Sequence, residues 1–279
     1  AHRPGRRRAL RSRAAAGKAI AGRRPRSAAA VRATCVSATR RRHFAVCSGL
    51  LSDAQPMSSP APAPARIAVR PGSLEAWRIA VRTRTLWIAT VPVFVGTSFA
   101  YLASGEVDVL FASLALVASV LLQAIANLQN DVGYTARGAE TGTRIGLPRA
   151  TSTGLLTPRE VRLAIALAVA ATILVGLPLV ARWGLPVLLM GLSSVAAALA
   201  YMGGRRPIAY TPLGELMVFI FFGLVAVAGS GYVQIGAVTP ALATAGAAIG
   251  CLAAAVLVVN NHRDAEHDRC GGLFAKLHV

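Results

Sequence analysis

Six stretches of this chain are apolar over nearly their whole length, near 86–103, 109–127, 161–181, 184–202, 213–235 and 240–260. About 20 such residues are needed for a helix to cross the hydrocarbon of a bilayer, and in lipid a backbone must satisfy its own hydrogen bonds. The chain is therefore read as all-α: a polytopic transmembrane helical bundle of six spans. Composition agrees, since 54% of the residues are hydrophobic and only 15% charged, too few charges to wet the surface of an ordinary soluble domain. Pro92, Pro178 and Pro186 fall within or beside spans, where neighbouring helices can satisfy the freed carbonyls. Trp77 and Trp87 suit an interfacial anchor.

The formal net charge of +19 is unevenly spread, with 14 of the 30 basic residues and only one acid, Asp53, in residues 1–56. That segment has almost no aromatic residue to stack a base, so no nucleic-acid partner is expected. Its composition fits translated upstream sequence ahead of Met57, a targeting segment or a basic tail. We divide the chain into a basic, Pro/Ala-rich arm at 1–73, a membrane domain at 74–269 and a tail at 270–279. Cys35, Cys47, Cys251 and Cys270 have no paired spacing and imply neither a disulfide framework nor zinc.

Loop charge sets the expected orientation. Arg66, Arg70, Arg78, Arg82 and Arg84 precede the first span; Arg137, Arg144, Arg149 and Arg159 follow the second. Arg205 and Arg206 follow the fourth, and Arg263 and Arg269 end the sixth, whereas the opposite loops hold Glu106, Asp108 and Arg182. The N-terminus and the basic loops are thus expected in the cytoplasm, with the bundle in the inner (plasma) membrane, or in an organellar membrane if residues 1–56 are a transit peptide.

Two acidic, Asn-rich segments lie on that same side. One is Asn127-Leu128-Gln129-Asn130-Asp131, leading to Glu140 and Arg144; the other is Asn260-Asn261-His262-Arg263-Asp264 through Asp268. Asn127 and Asp131, and likewise Asp264 and Asp268, are four apart and share a helix face. Carboxylate and amide oxygens of this kind suit magnesium, which takes one or two carboxylates and completes its shell with water and substrate phosphate. Arg144, Arg149 and Arg263 are candidate donors to the same phosphates. Acids near a membrane edge also mark ion paths, so a transporter competes with an enzyme at this point.

These residues resemble the UbiA-type intramembrane prenyltransferases. Asn127 to Asp131, Gly138, Glu140, Arg144-Ile145-Gly146, Arg149 and Thr153 to Thr157 are similar to the family's first signature, and Asn260 through Asp268 to its second. Tyr201, Gly203-Gly204, Pro207, Tyr210, Leu213 to Glu215 and Phe221 to Gly223 are similar to the central segment of the branch that prenylates 1,4-dihydroxy-2-naphthoate. The resemblance implies magnesium-dependent transfer from a polyprenyl diphosphate to that acceptor, with loss of diphosphate and carbon dioxide, in menaquinone synthesis. Another aromatic acceptor is the neighbouring alternative.

It further implies Asp131, Asp264 and Asp268 as catalytic residues, and Asp131, Glu140, Asp264 and Asp268 as metal ligands. Asn127, Asn130, Arg144, Arg149, Asn261 and Arg263 would bind diphosphate, and Tyr201, Tyr210, Phe221 and Phe222 would line the prenyl and aromatic pocket. Tyr134 stands where the family places a further aspartate, and Thr143 where some relatives have an acid. After Arg269 the chain leaves the family pattern, which continues into further helices. A catalytically inactive truncated fragment is therefore the rival expectation.

Overall fold

The computed structural model describes residues 69–137, 149–204 and 207–270, all within the unit Pro64–Val279. The side chains of Tyr210 and of residues 263–270 lie outside that description, as do Glu140 and Arg144 altogether. Every regular element among the described residues is helical.

The short helix α1 (Leu74–Val81) opens on Ser73, whose hydroxyl accepts from the Ala76 amide at 3.2 Å, and carries Glu75 in its first turn. Both features satisfy or complement the unpaired amides of a helix start. It stops at Arg82, the one non-glycine residue with positive φ (55°) among those described. A tight turn at Thr83–Thr85 leads into α2 (Trp87–Ser104), with Pro92 buried inside it. Helix α3 (Val109–Ala136) starts on Asp108, whose carboxylate accepts from Leu110 and Phe111. Thr157 and Glu160 form a reciprocal cap at the start of α4 (Pro158–Trp183), and Gly184, at φ 68°, turns that helix directly into α5 (Leu185–Met202). The fifth span runs through α6 (Leu213–Val218), a wider π-wound stretch (Phe219–Val225) and α7 (Ala226–Ile235). The sixth is the long α8 (Pro240–Cys270).

Six of these helical segments are long and apolar enough to cross a membrane, from Thr83–Ser104 to Pro240–His262. Their large apolar side chains point outward in number: Phe94, Leu163, Leu167, Leu174 and Leu189 are all exposed. In water such a surface would aggregate; against lipid tails it is the ordinary exterior. The multi-pass all-α expectation therefore holds.

One boundary differs. The second span was expected to stop at 127, yet α3 continues to Ala136. Its 28 residues make a rod of about 42 Å, longer than the roughly 30 Å hydrocarbon layer. Asn127 and Asp131 find hydrogen-bond partners at Val81, Thr85, Ala150 and Thr151, and with Asn130 they continue the same helix as the span.

Packing centres on α3, which lies against α4 and α5, while α2 packs on α7 and α8 on the π-wound stretch. Small residues set the closest approaches. A Cβ at Gly223 would meet the Gly246 carbonyl oxygen and Gly250 Cα at 2.5 Å, so the π-wound backbone rests directly on α8.

Candidate active site

The second half of α3 is the spine of the site. Gln123, Asn127 and Asp131 follow at four-residue intervals, and all three are buried. Asn127 donates from Nδ2 to the Val81 carbonyl at 2.7 Å and to Thr85 Oγ1 at 3.0 Å. Its Oδ1 accepts from Gln123 Nε2 at 3.4 Å, and the same Nε2 lies 3.5 Å from Thr85 Oγ1. The chain reversal at Arg82 makes this possible, because it brings the end of α1 and the following turn against α3.

Asp131 faces elsewhere. Its carboxylate is 1% exposed and accepts from the Ala150 amide at 2.8 Å and the Thr151 amide at 2.9 Å, and from the Thr151 hydroxyl. Thr151 also donates to the Asp131 carbonyl at 3.1 Å. The loop before α4 is thereby tied to α3. Charge-assisted bonds from backbone amides are among the stronger ones a buried carboxylate makes. Arg149, in the same loop, stacks its guanidinium 3.6 Å from the centre of the Tyr134 ring and donates to the Asn130 carbonyl at 3.3 Å. Arg137 clamps the next turn, donating to the carbonyls of Gly133, Met202 and Gly204 at 2.7, 3.1 and 2.6 Å.

Beside this spine the bundle forms a partly open cavity of about 690 Å³, walled mostly by apolar side chains. At one end its lining is polar, with Arg82, Gln123, Asn127, Asn130, Tyr201 and Asn260. Elsewhere α4, α5 and the π-wound stretch provide an aliphatic and aromatic wall that includes Phe221 and Phe222. π-Winding rotates the side chains that follow it relative to an α-helix, a device frequent at functional sites. Near the polar end Asn261 donates to Glu215 Oε1 at 2.8 Å, and Glu215 and Tyr134 lie within electrostatic reach of Tyr201.

Of the residues singled out from the sequence, Asn127, Asn130, Tyr201, Phe221 and Phe222 thus share one cavity. Asp131 and Arg149 do not line it, and Asn261 meets Glu215 instead. Arg263, Asp264 and Asp268 continue α8 beyond Asn261, with side chains outside the described residues; Tyr210 ends the short turn before α6, its side chain likewise outside. Glu140 and Arg144 lie outside the described residues. Sequence reasoning passed over Gln123, Thr85 and Glu215 as site residues. Gln123 was open to detection as the residue one turn before Asn127 on the same face; Glu215 lies in the central segment that carries the resemblance, though without a role there, and Thr85 carries no local signal.

The donor set bears on the expected magnesium. Among the described residues no three His, Cys, Asp or Glu side chains converge, and Asp131 is committed to the loop. What the polar end offers is hard oxygen: the amides of Asn130 and Asn260 and, next to Asn261, the Glu215 carboxylate. This fits an ion that takes few protein carboxylates and relies on substrate phosphate.

A helical bundle with six segments long and apolar enough to cross a membrane, holding a largely apolar cavity with several amides in its lining, defines the class: a multi-pass α-helical membrane protein. Residues 89–274 match the UbiA prenyltransferase family, and the chain belongs to that family. It is 39% identical over 204 residues to the 1,4-dihydroxy-2-naphthoate octaprenyltransferase of Escherichia coli, covering 71% of this chain and 66% of that protein. The protein of the same name from Mycobacterium tuberculosis is 37% identical, with 70% and 66% covered. The chain thus spans about two thirds of the length of these curated relatives. A solved structure described as a UbiA homolog from Archaeoglobus fulgidus bound to DMAPP and Mg2+ superposes with a TM-score of 0.57 at 18% identity, over 71% of this chain and 67% of that one. That likeness concerns the fold.

Proposed function

We propose that the protein transfers a polyprenyl group from a polyprenyl diphosphate to 1,4-dihydroxy-2-naphthoate in menaquinone synthesis. The observation that carries this reading is the cavity: about 690 Å³, walled mostly by apolar side chains, with the amides of Asn127, Asn130 and Asn260 in its lining. The curated relatives carry the name of this reaction, which supports the choice of acceptor.

In this reading the diphosphate lies at the polar end, toward Asn127, Asn130 and Asn260, with Arg82 lining the same end. Residues Arg144, Arg263, Asp264 and Asp268 belong to the same assignment, with Glu140, Asp264 and Asp268 joining Glu215 as candidate metal ligands. Magnesium, when bound, supplies charge neutralisation for the departing diphosphate. The apolar wall excludes water from the allylic carbon as its bond to oxygen breaks, and the faces of Tyr201, Phe221 and Phe222 favour positive charge there. The ring carbon that bears the carboxylate forms the new carbon–carbon bond, and that carboxylate leaves as carbon dioxide. Asp131 acts at one remove: it holds the loop that carries Arg149. The basic loops support a cytoplasmic polar end in the inner membrane.

The test uses membranes containing the full chain, a prenyl diphosphate, the acceptor and magnesium, with lipid extracts analysed by mass spectrometry. Demethylmenaquinol is the expected product, recovered as demethylmenaquinone once air oxidises it during extraction. Absence of any prenylated naphthoquinone from correctly inserted protein overturns the assignment.

A further inference from the structure

Away from the cavity, the surface where α1 meets the start of α4 is basic. Helix α1 bridges two neighbours. At one end the Gly72 amide donates to the Leu155 carbonyl at 2.9 Å, just ahead of α4; at the other the Val81 carbonyl accepts from Asn127 of α3. Ala76 and Ala80 are fully buried, and Trp77 packs against the cluster that holds Val161 and Ile165 of α4. This seam sets Arg70 and Arg78 beside the first turns of α4, which carry Arg159 and Arg162. All four arginines are exposed.

Their level in the membrane follows from length. The 26 residues of α4 make a rod of about 39 Å, longer than the roughly 30 Å hydrocarbon layer, so its charged first turn belongs among the headgroups. Arg159, Leu163 and Leu167 follow at four-residue intervals on one face, and both leucines are exposed. On α1, Leu74 is 69% exposed one turn before Arg78. Cations thus cap a lipid-facing apolar stripe, which is the layout of a phospholipid: charged head above, acyl chains below.

The protein supplies little countercharge. Glu160 is engaged in the cap of α4, where its carboxylate accepts from the Thr157 amide at 2.7 Å and from the Thr157 hydroxyl at 2.8 Å. Glu75 sits in the first turn of α1, next to the positive end of the helix dipole. Among the described residues no carboxylate pairs with the four guanidinium groups. Four arginines against two glutamates leave an excess of two positive charges on the patch. A zwitterionic headgroup brings an ammonium that such a patch repels, whereas phosphatidylglycerol presents the phosphate without one. A soluble anion would gain nothing from the leucines.

We propose that Arg70, Arg78, Arg159 and Arg162 form a seat for the headgroup of an anionic phospholipid, with its acyl chains lying along Leu163 and Leu167. The seat is separate from the cavity and does not depend on the prenyl-transfer reading.

The test is native mass spectrometry of the purified full chain in detergent, titrated with phosphatidylglycerol or phosphatidylcholine of the same acyl composition, reading the dissociation constant of the first lipid bound. An arginine near a membrane surface raises affinity for anionic lipid about fivefold, so the wild type is expected to prefer phosphatidylglycerol by about fivefold or more. The combined variant Arg70→Gln, Arg78→Gln, Arg159→Gln and Arg162→Gln is expected to bring the two lipids within about twofold, with its affinity for phosphatidylcholine unchanged. Arg182→Gln, at the opposite end of α4, is expected to keep the wild-type preference. Equal binding of both lipids by the wild type, a measurement that needs no variant, overturns the proposal. So does a preference that survives in the combined variant, or one that Arg182→Gln removes to the same extent, since the charge would then act diffusely.

Discussion

Replacing Asp131 separates a residue that acts on substrate from one that holds the site together. Its carboxylate receives the amides of Ala150 and Thr151 and the Thr151 hydroxyl, all in a buried setting. Asp131→Ala leaves both amides without acceptors, at about 1–3 kcal/mol each, so the expected loss of stability is about 2–6 kcal/mol. Asp131→Asn keeps one oxygen but turns an amine toward the other amide, and about 1–3 kcal/mol is expected. In a domain of this size each kcal/mol lowers the melting temperature by about 2–4 °C. The assay is thermal unfolding of the detergent-solubilised chain, together with the rate of tryptic cleavage at Arg149 and Arg159, which flank the tethered loop. Both variants should melt earlier and be cut faster, with prenyl transfer falling in parallel. An Asp131→Asn protein that melts and resists trypsin like wild type, yet transfers nothing, would refute this reasoning: the carboxylate would then be working directly on metal or diphosphate.

Two further outcomes follow from the packing. Gly191 lines the apolar wall and has no atom within 4 Å of where its Cβ would lie; Gly191→Phe should fill that space without strain, cut turnover of long prenyl diphosphates by about tenfold or more, a difference of about 1.4 kcal/mol, and spare dimethylallyl diphosphate, as competition assays would reveal. Gly223→Ala should force the π-wound stretch off Gly246 and Gly250, costing about 1–3 kcal/mol, and appear as a lower melting temperature by fluorescence-detected size exclusion.

How much of this was legible beforehand differs by residue. The six spans were, because a bilayer imposes length and apolarity on each helix separately. The axial height of the site was too, since Asn127, Asn130 and Asp131 interrupt an apolar run. Asn130 and Asp131 are neighbours in the chain, however, and successive helical residues point about 100° apart. One turns into the cavity and the other into the loop at Ala150 and Thr151, and nothing in the local pattern says which. Asn261 meets Glu215 across 46 positions, a pairing that no spacing rule contains. The π-wound stretch (Phe219–Val225) has no recognisable signature either, and its close approach to Gly246 and Gly250 on α8 is a contact between distant segments.

Membrane insertion, helix count and the clustering of amides at one end of the bundle are properties of single helices against their solvent, so reading residues in order is enough to find them. Which carboxylate is free and where the apolar wall stands are decided between helices. Those outcomes depend on the directions in which side chains leave separate rods, and only their mutual packing sets those directions.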